Sequence, residues 1–199
     1  NDLFIFAKSL HNGHIIHCEF NPVDSNLFVT ASVDRRVKIW DLRMLSKNAK
    51  NLFEEEFKYP LNAASFSPHN GRTLIVSDNH EKINVYSGPN WVKEWVISHK
   101  HHQFQEISAI KPAFHPNLNL IVIGSSSKNS EISSLDIIDL DAEASQIKLT
   151  DGKQGALSIN LFNSSADTIV SARRAYLLFW KKAVSEEIKY INMLSRKTV

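Results

Sequence analysis

The chain has 199 residues, of which 43% are apolar and 22% charged, and these proportions exclude a disordered chain. The formal net charge of +2 and the isoelectric point near 8.6 lack the broad basic excess of dedicated nucleic-acid domains, so any anion-binding surface must be local. A single cysteine, Cys18, excludes an intrachain disulfide. No apolar run is long enough to span a bilayer and the start lacks a signal peptide, so we expect a cytosolic or nuclear protein.

A short string recurs at intervals of 46 to 48 residues and divides the chain into four segments. Its copies are CEFNP ending at Pro22, ASFSP ending at Pro68, PAFHP ending at Pro116 and NLFNS ending at Ser164. The second strands that follow are LFVTAS, TLIVSD, NLIVIGS and DTIVSA, and the third are RRVKIWDLR, KINVYS, SLDIIDL and AYLLFWKK. Fourth strands are predicted in LFEEEF, WVKEWVI and SQIKLT. Four strands per period predict an all-β fold of propeller blades.

The first segment is similar to a WD repeat, because it contains ASVD followed by KIWD. In such a repeat the Asp fixes the turn between the second and third strands, and the Trp fills space between blades. We expect these structural roles for Asp34 and Trp40. His14 and His17 precede a strand in the manner of the structural histidine of WD repeats, and we expect one of them to have that role.

Four blades are too few for a WD ring, which typically has about seven. The start NDLFIFAKSL reads as the last strands of a preceding blade. We therefore expect residues 1–182 to be the C-terminal part of a larger propeller and residues 183–199 to be a tail.

The sequence lacks the HExxH, GxSxG, P-loop and dinucleotide-binding patterns. We therefore expect a binding protein without a cofactor and not an enzyme. His99, His101 and His102, with Glu106 nearby, are side chains of the kind that zinc binds. Adjacent loop histidines lack a scaffold to orient them, however, so we expect a solvated loop and no metal.

One aromatic residue stands in the polar run HKHHQFQEI, residues 99–107. A ring followed by an amide, here Phe104 and Gln105, suits a wedge that displaces stacked bases. Lys100 and Lys111 nearby favour phosphates. The alternative is a ring folded back onto its own blade.

Arg43 follows a predicted strand end in WDLR. Its planar fork of donors suits a partner's carboxylate or carbonyl. The alternative is an exposed arginine paired with a neighbouring acid, and the residues alone leave both interpretations open.

The chain resembles the DNA damage-binding protein 2 family, the lesion-reading WD-repeat subunits of the UV-damaged-DNA-binding complex. The stretches that carry the resemblance are TASVDRRVKIWDLR, PLNAASFSPHNGRTLIVSDNHEKINVYS and HKHHQFQEISAIKPAFHPNLNLIVIG. It implies a Phe-Gln-His hairpin that enters the minor groove at a UV photoproduct and fills the gap left by two flipped bases. Phe104 and Gln105 match its first two positions. Glu106 replaces the His, and His102 replaces a preceding Arg.

Other positions that the resemblance implies in DNA contact are altered. His14 aligns with a family lysine, Ser125, Ser126 and Ser127 replace an Arg-Tyr-Pro loop, and an expected aromatic aligns with Ala175 or the next residue. Two arginines of that last loop are expected to restore phosphate contacts. The implied DNA-binding residues are Phe104, Gln105, Glu106, His102, His14, Lys111, Arg173, Arg174 and Tyr176.

WDLR matches the family's WDxR signature. This match implies that Asp41 and Arg43 dock DNA damage-binding protein 1 and through it a cullin 4 ubiquitin ligase. Asp78, in IVSDN, matches an acidic family position whose role is structural, at a turn.

We therefore expect a nuclear, non-enzymatic subunit that binds UV-damaged DNA in nucleotide-excision repair and serves as a ligase substrate receptor. No membrane and no small-molecule substrate are expected as partners. Two alternatives remain. One is a related WD-repeat protein that binds DNA or chromatin without lesion specificity, and the other is a scaffold that binds only proteins.

Overall fold

The computed structural model describes residues 8–45, 50–101, 109–126, 132–141 and 146–181. These residues form four separate antiparallel sheets, which we call blades 1 to 4. Blade 1 contains β1 (Ile15–Phe20), β2 (Leu27–Ser32), β3 (Arg36–Asp41) and β4 (Phe53–Glu56), and blade 2 contains β5 (Leu61–Phe66), β6 (Thr73–Asp78), β7 (Lys82–Ser87) and β8 (Val92–Ser98). Blade 3 contains β9 (Ala113–Phe114), β10 (Leu120–Gly124), β11 (Leu135–Asp139) and β12 (Gln146–Leu149), and blade 4 contains β13 (Ile159–Phe162), β14 (Thr168–Arg173) and β15 (Tyr176–Lys181).

The predicted all-β, WD40-type propeller fold is confirmed, and each blade is a meander in which consecutive strands pair. Within the described residues, one short 3-10 helical turn is present at Leu42–Met44. In the same ranges no helix is long and apolar enough to cross a membrane. The predicted tail, residues 183–199, lies outside the described residues.

The second strands of blades 1 to 3 are buried on both sides along most of their length, which explains their continuous apolar runs. In β6, for example, every residue from Leu74 to Asp78 is buried. Three apolar cores lie between successive blades. The first joins blades 1 and 2 around Ile39 and Tyr86, the second joins blades 2 and 3 around Ile83 and Ile121, and the third joins blades 3 and 4.

Gly124, at the end of β10, marks the close approach of blades 3 and 4. A Cβ atom there would lie 1.9 Å from the carbonyl oxygen of Leu157. Only glycine therefore allows the two backbones to pack at this distance.

The innermost strands of the four blades begin at the same end of the molecule. His17 Nδ1 donates to the Ala64 carbonyl at 2.8 Å, which aligns β1 with β5. Near the starts of β5 and β9, Asn62 Nδ2 donates to the Ile110 carbonyl at 3.3 Å. Near the starts of β9 and β13, Lys111 N donates to the Ser158 carbonyl at 3.4 Å. The blades therefore share two common faces, each lined by loops.

We call the face at which the innermost strands begin the upper face and the opposite one the lower face. The described upper-face segments are 8–14, 33–35, 57–60, 79–81, 99–101, 109–112, 125–126, 132–134, 150–158 and 174–175. The lower face comprises 21–26, 42–45, 50–52, 67–72, 88–91, 115–119, 140–141 and 163–167.

Candidate nucleic-acid interface

A polar network built around Thr30 ties the upper face of blade 1 together. Trp40 Nε1 donates to Thr30 Oγ1 at 2.9 Å, and His11 Nε2 lies 2.7 Å from the same oxygen. His11 Nδ1 lies 3.0 Å from Asp34 Oδ2. Because a carboxylate only accepts, the imidazole donates from Nδ1 and accepts the Thr30 hydroxyl at Nε2. Burial lowers the pKa of His11, which favours this neutral form.

Asp34 also fixes the turn between β2 and β3, since it accepts from the backbone N–H groups of Asn12 at 2.9 Å and Arg36 at 3.0 Å. The histidine of this network is His11, and the expectation that it is His14 or His17 is wrong. His14 is exposed at the upper face, and His17 points from β1 to the Ala64 carbonyl of the next blade. The sequence signal for His11 is weak, because its partner Asp34 lies 23 residues away.

Blade 4 repeats part of this network without the histidine. Trp180 Nε1 donates to Ser171 Oγ at 3.0 Å, and Ser171 Oγ donates to Asn160 Oδ1 at 2.7 Å. A Trp in the third strand and a hydroxyl in the second thus recur in equivalent positions.

A buried chain of histidines lies where blade 2 leads into blade 3. His101 Nε2 donates to the Asp78 carbonyl at 2.9 Å, and its Nδ1 lies 3.1 Å from His99 Nδ1. His99 Nε2 in turn lies 3.2 Å from Asp136 Oδ2 of β11. Both rings are at most 4% exposed, so the expected solvated loop is wrong for these two residues. Among the residues described here, no group of side chains forms a metal site.

Asp136 is the charged end of this series of contacts between His101, His99 and Asp136. Its burial disfavours the carboxylate, but the nearby His99 ring, a hydrogen bond from Ser134 and the charge of Lys148 hold the pKa of Asp136 below its usual value. The carboxylate therefore stays ionised inside the blade.

The predicted wedge residues Phe104, Gln105 and Glu106, with His102, lie outside the described residues. The chain is described up to His101 and again from Ala109. Both of these flanking residues belong to the upper face.

Arg173 and Arg174 are adjacent but have different environments. Arg173 is 6% exposed, and its Nη1 donates to Asp151 Oδ1 at 2.9 Å while Nη2 donates to Oδ2. This bidentate pair lowers the pKa of Asp151. The expectation of a phosphate contact from Arg173 is therefore wrong, since its donors face the protein. Arg174 is exposed in the turn between β14 and β15.

Tyr176 is the first residue of β15 and is 73% exposed at the upper face. Ala175, the other residue considered for the aromatic position, precedes it in the turn. Ser125 and Ser126 are buried, where Ser126 N donates to the Lys100 carbonyl and Ser125 Oγ accepts from Ser134 N. They therefore link upper-face loops to one another, and Ser127 lies outside the described residues.

Lys111 stands at the upper mouth of a cavity of about 370 Å³ bounded by the innermost strands. Its Nζ donates to the Ile16 carbonyl at 3.5 Å. His17 and Glu19 line the same cavity, and burial lowers the pKa of His17 and raises that of Glu19. Lys111 is therefore a half-buried cation at the centre of the upper face.

Asp41 and Arg43 form a separate site on the lower face. The Asp41 carboxylate accepts from Arg43 N at 2.8 Å, from Nε at 2.9 Å and from Nη2 at 2.6 Å. These hydrogen bonds from Arg43 lower the pKa of Asp41. The Arg43 side chain remains 65% exposed, so the pair holds a guanidinium in a fixed orientation at the surface.

Asp78 closes the turn after β6. Its Oδ1 accepts from His80 N at 2.8 Å and from Lys82 N at 2.9 Å. The side chain therefore shapes the upper face while its carbonyl holds His101.

Comparison with known proteins agrees with the blade architecture. Residues 7–41 match the WD domain, G-beta repeat family. DNA damage-binding protein 2 of Gallus gallus is 36% identical over 187 residues, which are 89% of this chain and 37% of the relative. DNA damage-binding protein 2 of Mus musculus is 35% identical over 87% of this chain and 42% of the relative. Protein DAMAGED DNA-BINDING 2 of Arabidopsis thaliana is 25% identical over 84% of this chain. The chain spans about two fifths of the length of the vertebrate relatives.

Proposed function

We propose that this chain, which belongs to the DNA damage-binding protein 2 family of WD-repeat proteins, binds UV-damaged DNA with its upper face. One observation carries the proposal. Exposed His14, Arg174 and Tyr176 share the upper face with the residues that flank segment 102–108, whereas the Asp41–Arg43 pair is on the lower face. DNA and a protein partner can therefore bind simultaneously.

Segment 102–108 is proposed to act as a wedge. Phe104 enters the minor groove at a UV photoproduct and fills the gap left by the flipped bases, and Gln105 occupies the polar part of that gap. Extruding a normal base costs a few kcal/mol, and a damaged one costs less. The wedge thus responds to how easily the duplex deforms and not to its sequence.

The residues before the wedge supply rigidity. His101 is held by the Asp78 carbonyl on one side and by His99 on the other. This arrangement gives segment 102–108 a fixed starting point, so that ordering His101 adds no entropy cost when DNA binds.

The remaining upper-face residues are proposed to contact the sugar-phosphate backbone. Lys111 and Arg174 supply fixed positive charge, and His14 and Tyr176 supply polar contacts. Glu106 has the opposite effect, because its carboxylate beside phosphates weakens binding.

On the lower face, Asp41 orients Arg43 for a protein partner. We propose that this partner is DNA damage-binding protein 1, through which a cullin 4 ubiquitin ligase is recruited. The protein would then be a nuclear, non-catalytic substrate receptor in nucleotide-excision repair.

The test compares the affinity of the full-length protein for a duplex with one UV photoproduct and for the same intact duplex, at one salt concentration. A saving of a few kcal/mol in base extrusion corresponds to a preference of about tenfold or more. A ratio near one rejects lesion recognition.

A ratio near one with tight binding would instead support a chromatin or DNA-binding protein without lesion specificity. The structural observation in favour of this second function is that Arg173 is bound by Asp151 and that Ser125 and Ser126 are buried. Arg173 thus does not offer its donors to DNA, and the buried serines do not replace the contacts of the Arg-Tyr-Pro loop.

A further inference from the structure

Two rings on the upper face of blade 2 are stacked in parallel. Tyr59, in the loop before β5, and His80, in the turn after β6, have centroids 4.1 Å apart and an interplanar angle of 8°. Tyr59 is half-buried and His80 is exposed. The tyrosine therefore supports an imidazole ring of fixed orientation at the surface.

Lys58 lies beside this stack, and Lys82 follows the turn that carries His80. Lys58 Nζ lies 5.2 Å from the centroid of the Tyr59 ring, in cation–π geometry. Lys82 is also exposed, and its Nζ donates to Ser98 Oγ at 2.8 Å. We call Lys58, Tyr59, His80 and Lys82 the blade 2 patch.

The exposed charges of the patch are mostly positive. Segments 57–60 and 79–82 contain two lysines and one acid, Glu81. The nearby Asp78 carboxylate is buried, and its Oδ1 accepts two backbone N–H groups of the turn. An anion with a flat or apolar edge is the ligand that an aromatic stack beside a lysine suits.

The blade 2 patch lies directly beside the residues that precede the wedge. His99 N donates to the Glu81 carbonyl at 3.1 Å, and His101 Nε2 donates to the Asp78 carbonyl at 2.9 Å. Residue 102 follows immediately in the chain. The proposed wedge therefore begins beside the turn that carries His80, and a duplex bound there would lie next to the patch.

We infer that the blade 2 patch is a second DNA contact that binds the sugar-phosphate backbone next to the wedge. The lysines neutralise phosphates, and the His80 ring, supported by Tyr59, packs against the sugar. This inference rests on the proposed function for the position of the duplex. It adds residues to the DNA interface that neither the motifs nor the family resemblance indicated.

The test measures the salt dependence of binding of the full-length protein to the intact and the photoproduct duplex. Lys58→Gln and His80→Ala are the test variants. Arg72→Gln and His69→Ala are their matched controls, because both residues are exposed on the lower face of the same blade. Each phosphate contact contributes about 0.9 to the slope of log K against log salt.

Lys58→Gln should reduce this slope by about 0.9 on both duplexes. His80→Ala should weaken binding to both with little change in slope. The two control variants should match the wild type. If both test variants have wild-type slopes and affinities while the wild type prefers the photoproduct duplex, the blade 2 patch is not a DNA contact. That result leaves the proposed lesion function intact. A wild-type preference near one rejects the proposed lesion function, and the slopes still decide whether the patch contacts DNA.

Discussion

His101 Nε2 donates a hydrogen bond of 2.9 Å to the backbone carbonyl oxygen of Asp78. This contact fastens the residues before the proposed wedge to the turn that Asp78 closes with its own side chain. The position from which segment 102–108 starts is therefore determined by blade 2 as well as by blade 3.

Replacing His101 by Ala should loosen this connection. The variant removes the hydrogen bonds of the buried His101 ring to the Asp78 carbonyl and to His99 Nδ1, which costs about 1–3 kcal/mol of unfolding free energy. It should also reduce the preference for photoproduct DNA more than the affinity for intact DNA. Urea denaturation and duplex titration measure the two effects. His69→Ala, an exposed lower-face histidine, should change stability by less than about 0.5 kcal/mol. Unchanged stability in His101→Ala would contradict the structural role.

Asp136 should make the stability of the protein sensitive to acid. The pKa of this carboxyl is lower in the folded chain than its usual value of 3.8. Its stabilisation is therefore present above about pH 4 and is lost as the pH falls through the folded pKa. The difference in unfolding free energy between wild type and Asp136→Asn should shrink over that window. A difference that stays constant down to the folded pKa would count against an ionised Asp136.

Arg173 and Arg174 should separate stability from DNA binding. Arg173→Ala removes the partner of Asp151 and a buried side chain, and we expect a loss of about 1–3 kcal/mol in unfolding free energy. Arg174→Ala should leave stability within about 0.5 kcal/mol but lower the salt slope of DNA binding by about 0.9. The opposite assignment of the two effects would refute the structural distinction between the neighbours.

Arg43→Ala should abolish co-purification with DNA damage-binding protein 1, the proposed adaptor, without changing the affinity for photoproduct DNA. The exposed guanidinium is oriented by Asp41, so Arg43→Lys should also fail, because an ammonium cannot reproduce the fork. Arg72→Ala, on the same face, is the control. Retained co-purification in both Arg43 variants would exclude this site as the adaptor contact.

The repeat spacing was enough to predict the blades, because alternation and turn residues are local signals. The position of Asp34 in a turn followed from the resemblance to a WD repeat. The choice among His11, His14 and His17 did not, since it depends on which ring reaches Asp34 and Thr30 through the folded blade.

The sequence does not show which of two neighbouring residues of the same type is buried and which is exposed. Arg173 ends a strand and faces Asp151, 22 residues earlier, whereas Arg174 lies in the turn. His99 and His101 are buried by contacts with Asp136 and Asp78. These partners come from other strands, and no local pattern identifies them.

The effect of Phe104→Ala on lesion preference tests the account most directly. The measurement is the ratio of affinities for the photoproduct duplex and the intact duplex, in the full-length wild type and the variant. We predict that the variant ratio falls to near one while the affinity for intact DNA and its salt slope stay at the wild-type values. A variant that keeps the wild-type ratio, or that loses affinity equally for both duplexes, would contradict the wedge.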